Sequence, residues 1–386
     1  MTQFANINFK WVLLMSLFAT LYTGCMSMFE PKYEWYPSES SPRGYPIDLI
    51  RGDFSYGKRK SIYIPTSADL GGGWGNGISN HAAGELEKEV PHKLSVFFYS
   101  YIEDQFYRDE FVLDKDYLSK MFKEGHPVPG EEGNETYSFI NVNFAPGGYV
   151  AMWLQGGGDR TEVFFEKATP IEVDDFSVVS GPRNSKNREQ YRQSILNGDG
   201  QLALREAQEK GGIPFDRWAN YRKSFNWRFK LVNIEQPKER SRMYFVNGEV
   251  HMYEPNGLQD YAPRHVPFDI MFQADVPDDY AIRYGMKLEQ KPTFKAFEAI
   301  AKDGEPIDFV FEMYKETSTQ QNAEQDQALD YDGFLNPPII DAKMPKDPIQ
   351  RHYRIYLANS QRRIELNPYT KIKFFLAGYW PQDKHL

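Results

Sequence analysis

The chain has 386 residues, with 45 Lys and Arg against 54 Asp and Glu, a formal net charge of −9, 16% aromatic residues and one cysteine. That length exceeds one ordinary hydrophobic core and suits two domains. The acidity argues against nucleic acid and anionic lipid surfaces as partners, and the low mean hydropathy excludes a multi-span membrane protein.

Residues 1–24 read as an export signal. Lys10 and the amino terminus supply positive charge, and the apolar run Trp11–Tyr22 follows. That run is about a dozen residues, against about 20 needed for a membrane-spanning helix. Thr23, Gly24 and Cys25 come next. This arrangement resembles the bacterial lipobox, with Tyr22 in the place of its aliphatic residue. The resemblance implies cleavage before Cys25 and acylation of its thiol, with residues 25–30 as lipidated cysteine and tether. The other reading is a free thiol in an ordinary signal or anchoring helix. A lone cysteine suits an oxidising compartment, where further thiols would pair. Met26 and Ser27 follow it, with no Asp directly after the cysteine. The expected location is the periplasmic face of the outer membrane, held by lipid. Removing residues 1–24, which carry one Lys and no acid, takes the net charge from −9 to −10.

Residues 31–176 read as a first β-rich unit. Pro and Ser dominate its start, and the aromatics of "EWYP" (34–37) read as exposed. Strands are predicted at 60–65 and 92–101, and "TEVFFEKATPIEV" supplies another. Ser138–Phe144 and Tyr149–Leu154 form a hairpin turning at Pro146-Gly147-Gly148. Tyr117, Leu118, Met121 and Phe122 lie at helical spacing, with Asp114 or Asp116 to cap the start and Gly125 the end. Residues 177–212 are polar, helix-prone and broken at Gly198-Asp199-Gly200, a connector. Residues 213–386 read as a second β-rich unit. Asn247-Gly248 there has the signature of a two-residue type I′ hairpin turn. Residues 317–333 read as a solvated loop, and Tyr379-Trp380 as exposed aromatics.

Residues 103–122 align with 278–297 at a constant offset of 175: Asp104/Asp279, Arg108/Arg283, Leu113/Leu288, Lys120/Lys295 and Phe122/Phe297 coincide. Each copy follows an apolar strand and precedes another. The predicted fold class is therefore α+β and β-rich. It has two related antiparallel-sheet units, each with a short packed helix (114–124 and 291–302), joined by a polar helical connector.

"GGGWGNG" (71–77), "HKLSVFFYSYIEDQFYRDEFVL" (92–113), "NFAPGGYVAMWLQGGG" (143–158) and "FVNGEV" (245–250) resemble blocks of a bacterial lipoprotein family known as domain of unknown function 2931. The resemblance implies an envelope lipoprotein and transfers no catalytic residues.

No Gly-x-Ser-x-Gly elbow or Walker phosphate loop occurs, and the glycines at 71–77 lack dinucleotide spacing. Seven scattered His and one Cys give no zinc pattern. No metal or cofactor is expected. The pairs Glu103-Asp104 and Asp278-Asp279 could do acid–base work or bind calcium, or simply close turns through Asp side chains. Trp74 and Asn76, set among five glycines, are candidate partner-binding residues at a sheet-end loop, where the context presents Trp74 rather than burying it. These features predict a lipid-anchored, periplasm-facing binding protein without catalysis. Its sharpest form is an immunity lipoprotein that neutralises a periplasm-acting toxin, such as a phospholipase delivered by type VI secretion. The alternatives are an envelope hydrolase using a carboxylate pair, and a structural or assembly lipoprotein. Cys25→Ser is expected to leave an uncleaved precursor that takes up no labelled palmitate; normal labelling of that variant would overturn the lipid anchor.

Overall fold

The computed structural model describes residues 30–376 apart from 67–70, 80–81, 83, 129–132, 181–186, 235–236, 238–240, 255, 276–280, 316–350 and 368–369. Cys25, Asp278-Asp279, the loop at 317–333 and Tyr379-Trp380 lie outside the described residues.

In chain order the first half contains β1 (Lys32–Glu34), β2 (Tyr36–Ser40), β3 (Ile47–Tyr56), β4 (Lys60–Tyr63), β5 (Glu87–Glu89), β6 (Pro91–Ser100) and β7 (Gln105–Val112). There follow α1 (Lys115–Glu124), β8 (His126–Pro127), β9 (Asn134–Glu135), β10 (Phe139–Ala145), β11 (Tyr149–Gly156), β12 (Asp159–Lys167) and β13 (Thr169–Ile171). Four helices come next: α2 (Ser177–Ser180), α3 (Arg188–Gly198), α4 (Gln201–Lys210) and α5 (Arg217–Asn220). The second half contains β14 (Phe225–Val232), β15 (Ser241–Phe245), β16 (Val250–Tyr253), β17 (Ala262–Arg264), β18 (Pro267–Asp275), β19 (Ala281–Leu288), α6 (Gln290–Ala301), β20 (Ile307–Lys315), β21 (Arg351–Ala358), β22 (Arg363–Glu365) and β23 (Thr370–Leu376).

The two halves share one topology. The order β13-β7-β6-β3-β4 in the first is matched by β23-β19-β18-β15-β16 in the second. Likewise β2-β10-β11-β12 is matched by β14-β20-β21-β22, with β17 added beside β14. The sheets are antiparallel except for one parallel pair at the same place in each half, β2 with β10 and β14 with β20. Each unit is thus two sheets face to face over an apolar core.

The helices sit alike. Asp114 caps α1 by accepting the Tyr117 amide at 2.9 Å, and Gly125 ends it at φ +65°. Phe122 on α1 is 1% exposed and meets Tyr33 at 5.1 Å; Phe297 on α6 is 0% exposed and sits 6.1 Å from Trp227.

Several features differ from the sequence reading. The units are not separate sheets on a string: β12 pairs with β16, which fuses four strands of the first unit and five of the second into one nine-stranded sheet. The Asn247-Gly248 turn is a three-residue loop. Gly248 donates to the Phe245 carbonyl, Phe245 to the Glu249 carbonyl, and Gly248 alone takes positive φ, at +89°. The 161–173 segment breaks at Ala168, and its second piece crosses to the other sheet as β13. Trp35 is fully buried against Phe54 and Tyr56, because the link between β1 and β2 turns it into the core. The connector also builds core: Leu196 of α3 and Ala203 of α4, with Phe176 just before α2 and Trp218 of α5, close over Tyr45, Tyr99, Tyr101 and Tyr149.

Phe122→Ala and Phe297→Ala are each expected to cost about 3–5 kcal/mol, through lost transfer energy and a residual cavity. Urea denaturation of the two variants measures this, and similar losses follow from the matched positions.

Candidate functional site

The glycine-rich segment lies across the outer face of β10 and β11, not at a free sheet end. Two buried amides of β10 hold its backbone. Asn143 accepts from Gly75 N at 2.7 Å and donates to Asn76 O at 3.0 Å, while Asn141 donates to Gly75 O at 3.2 Å. Side-chain amides that satisfy a loop's own donors and acceptors fix it as firmly as a strand partner would. The segment is thereby pushed against the β15–β16 turn. A Cβ on Gly75, which has φ +86°, would lie 2.5 Å from the Gly248 carbonyl oxygen. Only glycine tolerates both that angle and that approach.

Arg160 of β12 closes this contact. It is 6% exposed, donates through Nε to Gly248 O at 2.6 Å, and donates through its guanidinium to Asn76 Oδ1. Burial lowers its pKa to about 10, so it is still charged at neutral pH. Arg160 is also the residue of β12 that pairs with Val250 of β16.

Trp74 is half-buried rather than projecting. Its ring lies edge-on to Trp153 at 5.0 Å and 6.3 Å from Trp218. The local glycines cannot bury it, but strands and helices distant in sequence do. Its indole N–H is buried and lacks a hydrogen-bond partner. Asn76 uses its amide internally, donating to Gly72 O at 3.1 Å and accepting from Arg160. The two residues proposed from sequence therefore sit together at the joint between the units.

Beside Arg160 lies a charged cluster that no local pattern marks, since Asp159 and His251 are 92 residues apart in the chain. His251 Nδ1 is 3.3 Å from Asp159, and its Nε2 is 3.4 Å from Glu249, which also lies 3.4 Å from His265 Nε2. The Glu162 amide donates to Glu249 at 3.1 Å, and the Glu162 carboxylate pairs with Arg222. Burial would lower the His251 pKa, but hydrogen bonds to Asp159 and Glu249 raise it to about 9. Burial would raise Glu249, but the two imidazoles hold it at about 2. Burial raises Glu162 to about 7 despite Arg222. An imidazole kept protonated between two carboxylates is a poor general base and a good tether. Among the described residues, no group of three His, Cys, Asp or Glu is placed to hold a metal ion.

The acidic pair at 103–104 diverges. Glu103 accepts from Tyr107 Oη at 2.7 Å and Gly147 N at 2.9 Å, and burial raises its pKa. Asp104, at φ +56°, turns the other way and accepts from Tyr99 and from Arg188 of α3, the latter at 2.7 Å. One carboxylate thus fixes the β10–β11 turn and the other moors the connector.

An open groove of about 420 Å³ lies on the outer face of the first unit's β13-β7-β6-β3-β4 sheet. Strand register sets its rows. Arg108, Phe97 and Arg51 run across three strands, with Glu110, Ser95, Asp53 and Tyr63 in the next row. Arg108 stacks on Phe97 at 4.2 Å, Lys93 pairs with Glu110 at 3.1 Å, and Arg51, 77% exposed, pairs with Asp53 at 2.7 Å. The alternation of exposed and buried residues along β3 and β7 was the available signal for this face.

Residues 22–216 match the family model described as protein of unknown function (DUF2931), and the chain belongs to that family. No curated protein and no solved structure matches the chain.

The charge cluster predicts a pH dependence. A raised His251 pKa gives stability that is complete below about pH 6.5 and lost as pH rises through about 9; a depressed Glu249 pKa gives stability complete above about pH 4.5 and lost as pH falls through about 2. Glu162, raised to about 7, opposes folding as it ionises above about pH 4.5. Thermal stability is therefore expected to peak near about pH 4.5–5 and to fall further above about pH 6.5, where the His251 contribution is lost as well. His251→Gln should lower Tm at pH 6 and flatten its decline between pH 7 and 9.

Proposed function

We propose that this member of the DUF2931 family is a lipid-anchored protein facing the periplasm that binds a protein partner on the outer face of its first sheet. The supporting observation is the groove. Adjacent strands fix three cations and three carboxylates at its walls, among them Arg51, Lys93, Arg108, Asp53 and Glu110; Arg51, Arg108 and Glu110 are exposed and the others half-buried. Exposed pairs of this kind add little to stability. Set in rigid rows around an aromatic ring, they give a partner fixed electrostatic complementarity and register. Trp74 and Asn76 support that surface indirectly, by locking the two units together behind it. The sharpest form of the proposal is an immunity role, in which the lipid anchor of Cys25 holds this face where a toxin injected into the periplasm would arrive. Inhibition needs only occlusion of the toxin's active site or membrane-binding face.

The test is co-expression with a periplasm-directed toxin encoded in the adjacent reading frame. The wild type is expected to protect and to bind. Arg51→Glu with Arg108→Glu should weaken binding by about 2 kcal/mol or more, with thermal stability little changed. A neighbouring toxin that the wild type fails to neutralise would overturn the immunity role. Undiminished toxin binding by the double variant would overturn the assigned face.

A further inference from the structure

The charges of the groove on the first sheet are engaged with one another, with one exception. Arg51 donates through Nε to Asp53 at 2.7 Å. Lys93 sits 3.1 Å from both oxygens of Glu110, and Ser95 donates to the same carboxylate at 3.1 Å. Asp109 accepts from the amide and the hydroxyl of Thr169, at 3.2 and 2.8 Å. Arg108 is the exception. Among the described residues it has an aromatic ring against it, Phe97 at 4.2 Å, and no carboxylate.

This arrangement is set before any partner arrives. Strand register places Arg108 directly opposite Phe97. Phe97 is 9% exposed and packs on Phe106, with ring centres 6.0 Å apart, in the cluster that the connector roofs. Arg108 itself is exposed. A guanidinium resting on a held ring loses less freedom on binding than a lone surface cation does. The stack leaves its N–H donors in the guanidinium plane, where a planar carboxylate can take two of them in parallel. The repeat did not supply this pair. Arg283, which coincides with Arg108, has Gln273 as its strand partner. The neighbours select the anion. Glu110 stands two places along the same strand, and Asp53 lines the same groove. Repulsion from these carboxylates grows with the incoming charge, which favours a singly charged carboxylate over a phosphate. An open groove cannot enclose a small acid, so the acid arrives on a larger surface.

We propose that Arg108, seated on Phe97, is the anchor of the binding face and receives one Asp or Glu carboxylate of the protein partner. This rests on the binding face proposed above and names the contact that fixes the partner on it. The probe is a phage-displayed library of random twelve-residue peptides, depleted on immobilised Arg108→Gln protein and then selected on the wild-type full chain. The selected peptides are expected to share an Asp or Glu at one aligned position. A synthetic peptide from that set should bind the wild type about tenfold or more tightly than it binds Arg108→Lys, which keeps the charge and loses the fork. Replacing the shared acid by its amide should weaken binding to the wild type as much, and phosphoserine in its place should bind more weakly than the acid. Arg51→Gln should stay within about threefold of the wild type, because that cation already holds Asp53. The thermal transition should be unchanged in each variant, since both side chains are exposed. A library that yields no peptide specific to the wild type, selected peptides without a shared acid, or equal binding to Arg108→Lys would overturn the inference. Tighter binding of the phosphoserine peptide would overturn it too, and make a phosphorylated segment the occupant. The toxin from the adjacent reading frame separates this inference from the reading beneath it. Toxin binding weakened by Arg51→Gln and not by Arg108→Gln would overturn the anchor and leave the face standing. Acid-dependent peptides, with a toxin that the wild type does not bind, would overturn the immunity role and leave the carboxylate site standing.

Discussion

The molecule depends on one close approach of two backbones, Gly75 against Gly248, capped by the buried Arg160. A charged guanidinium out of water is tolerable only where its donors are met. Here a carbonyl and an amide oxygen meet them, and both belong to the loops that the contact brings together. The pairing between β12 and β16 is short, because Arg160 and Val250 form its one rung. Such an edge contact would slip without side chains to set its register. Asp159, His251, Glu249 and Glu162 supply those on one side, and the Asn141–Asn143 clamp on the other. The continuity of the nine-stranded sheet thus follows from a small number of polar contacts.

This accounts for what was legible in the sequence. The hairpin turning at Gly147 and Gly148, the capped helix α1, the break in the connector near Asp199 and the twofold plan all follow from local chemistry: alternation, caps, glycine turns. The echo at offset 175 was readable because Leu113, Phe122, Leu288 and Phe297 face matched cores. Outside 103–122 the repeat survives in strand order alone, since sheet topology tolerates wholesale exchange of side chains when alternation is kept. The joint was illegible for the opposite reason. Nothing local marks Arg160 as buried, or Gly248 as the floor for Gly75. Trp74 shows the limit most clearly: its neighbours in sequence are glycines, its neighbours in space are tryptophans. Even so, the quoted blocks that carry the family resemblance are largely the ones in contact. "GGGWGNG" lies on Asn143 and Trp153, and its Gly75 abuts the "FVNGEV" turn.

The connector is part of this economy. The chain leaves the first unit at β13, on one sheet, and enters the second at β14, which belongs to the other kind of sheet. Helices α2 to α5 make that passage, and they roof an aromatic cluster that the first unit alone would expose. Asp104 holds α3 through Arg188, and Glu206 holds α5 through Arg217. A carboxylate with positive φ at a strand turn reads equally well as a catalytic candidate or a mooring. The direction in which it faces decides, and here it faces the connector.

Charge remains to be reconciled. The chain carries a net −9, yet the proposed binding groove sets three cations beside three carboxylates. At physiological ionic strength fields fade over about 8 Å, so these near charges, and not the net charge, would meet a seated partner. Under the proposed reading, a partner presenting a matching pattern of both signs would satisfy them in one orientation only. An inhibitor that must cover a particular active site needs that selectivity more than it needs raw affinity.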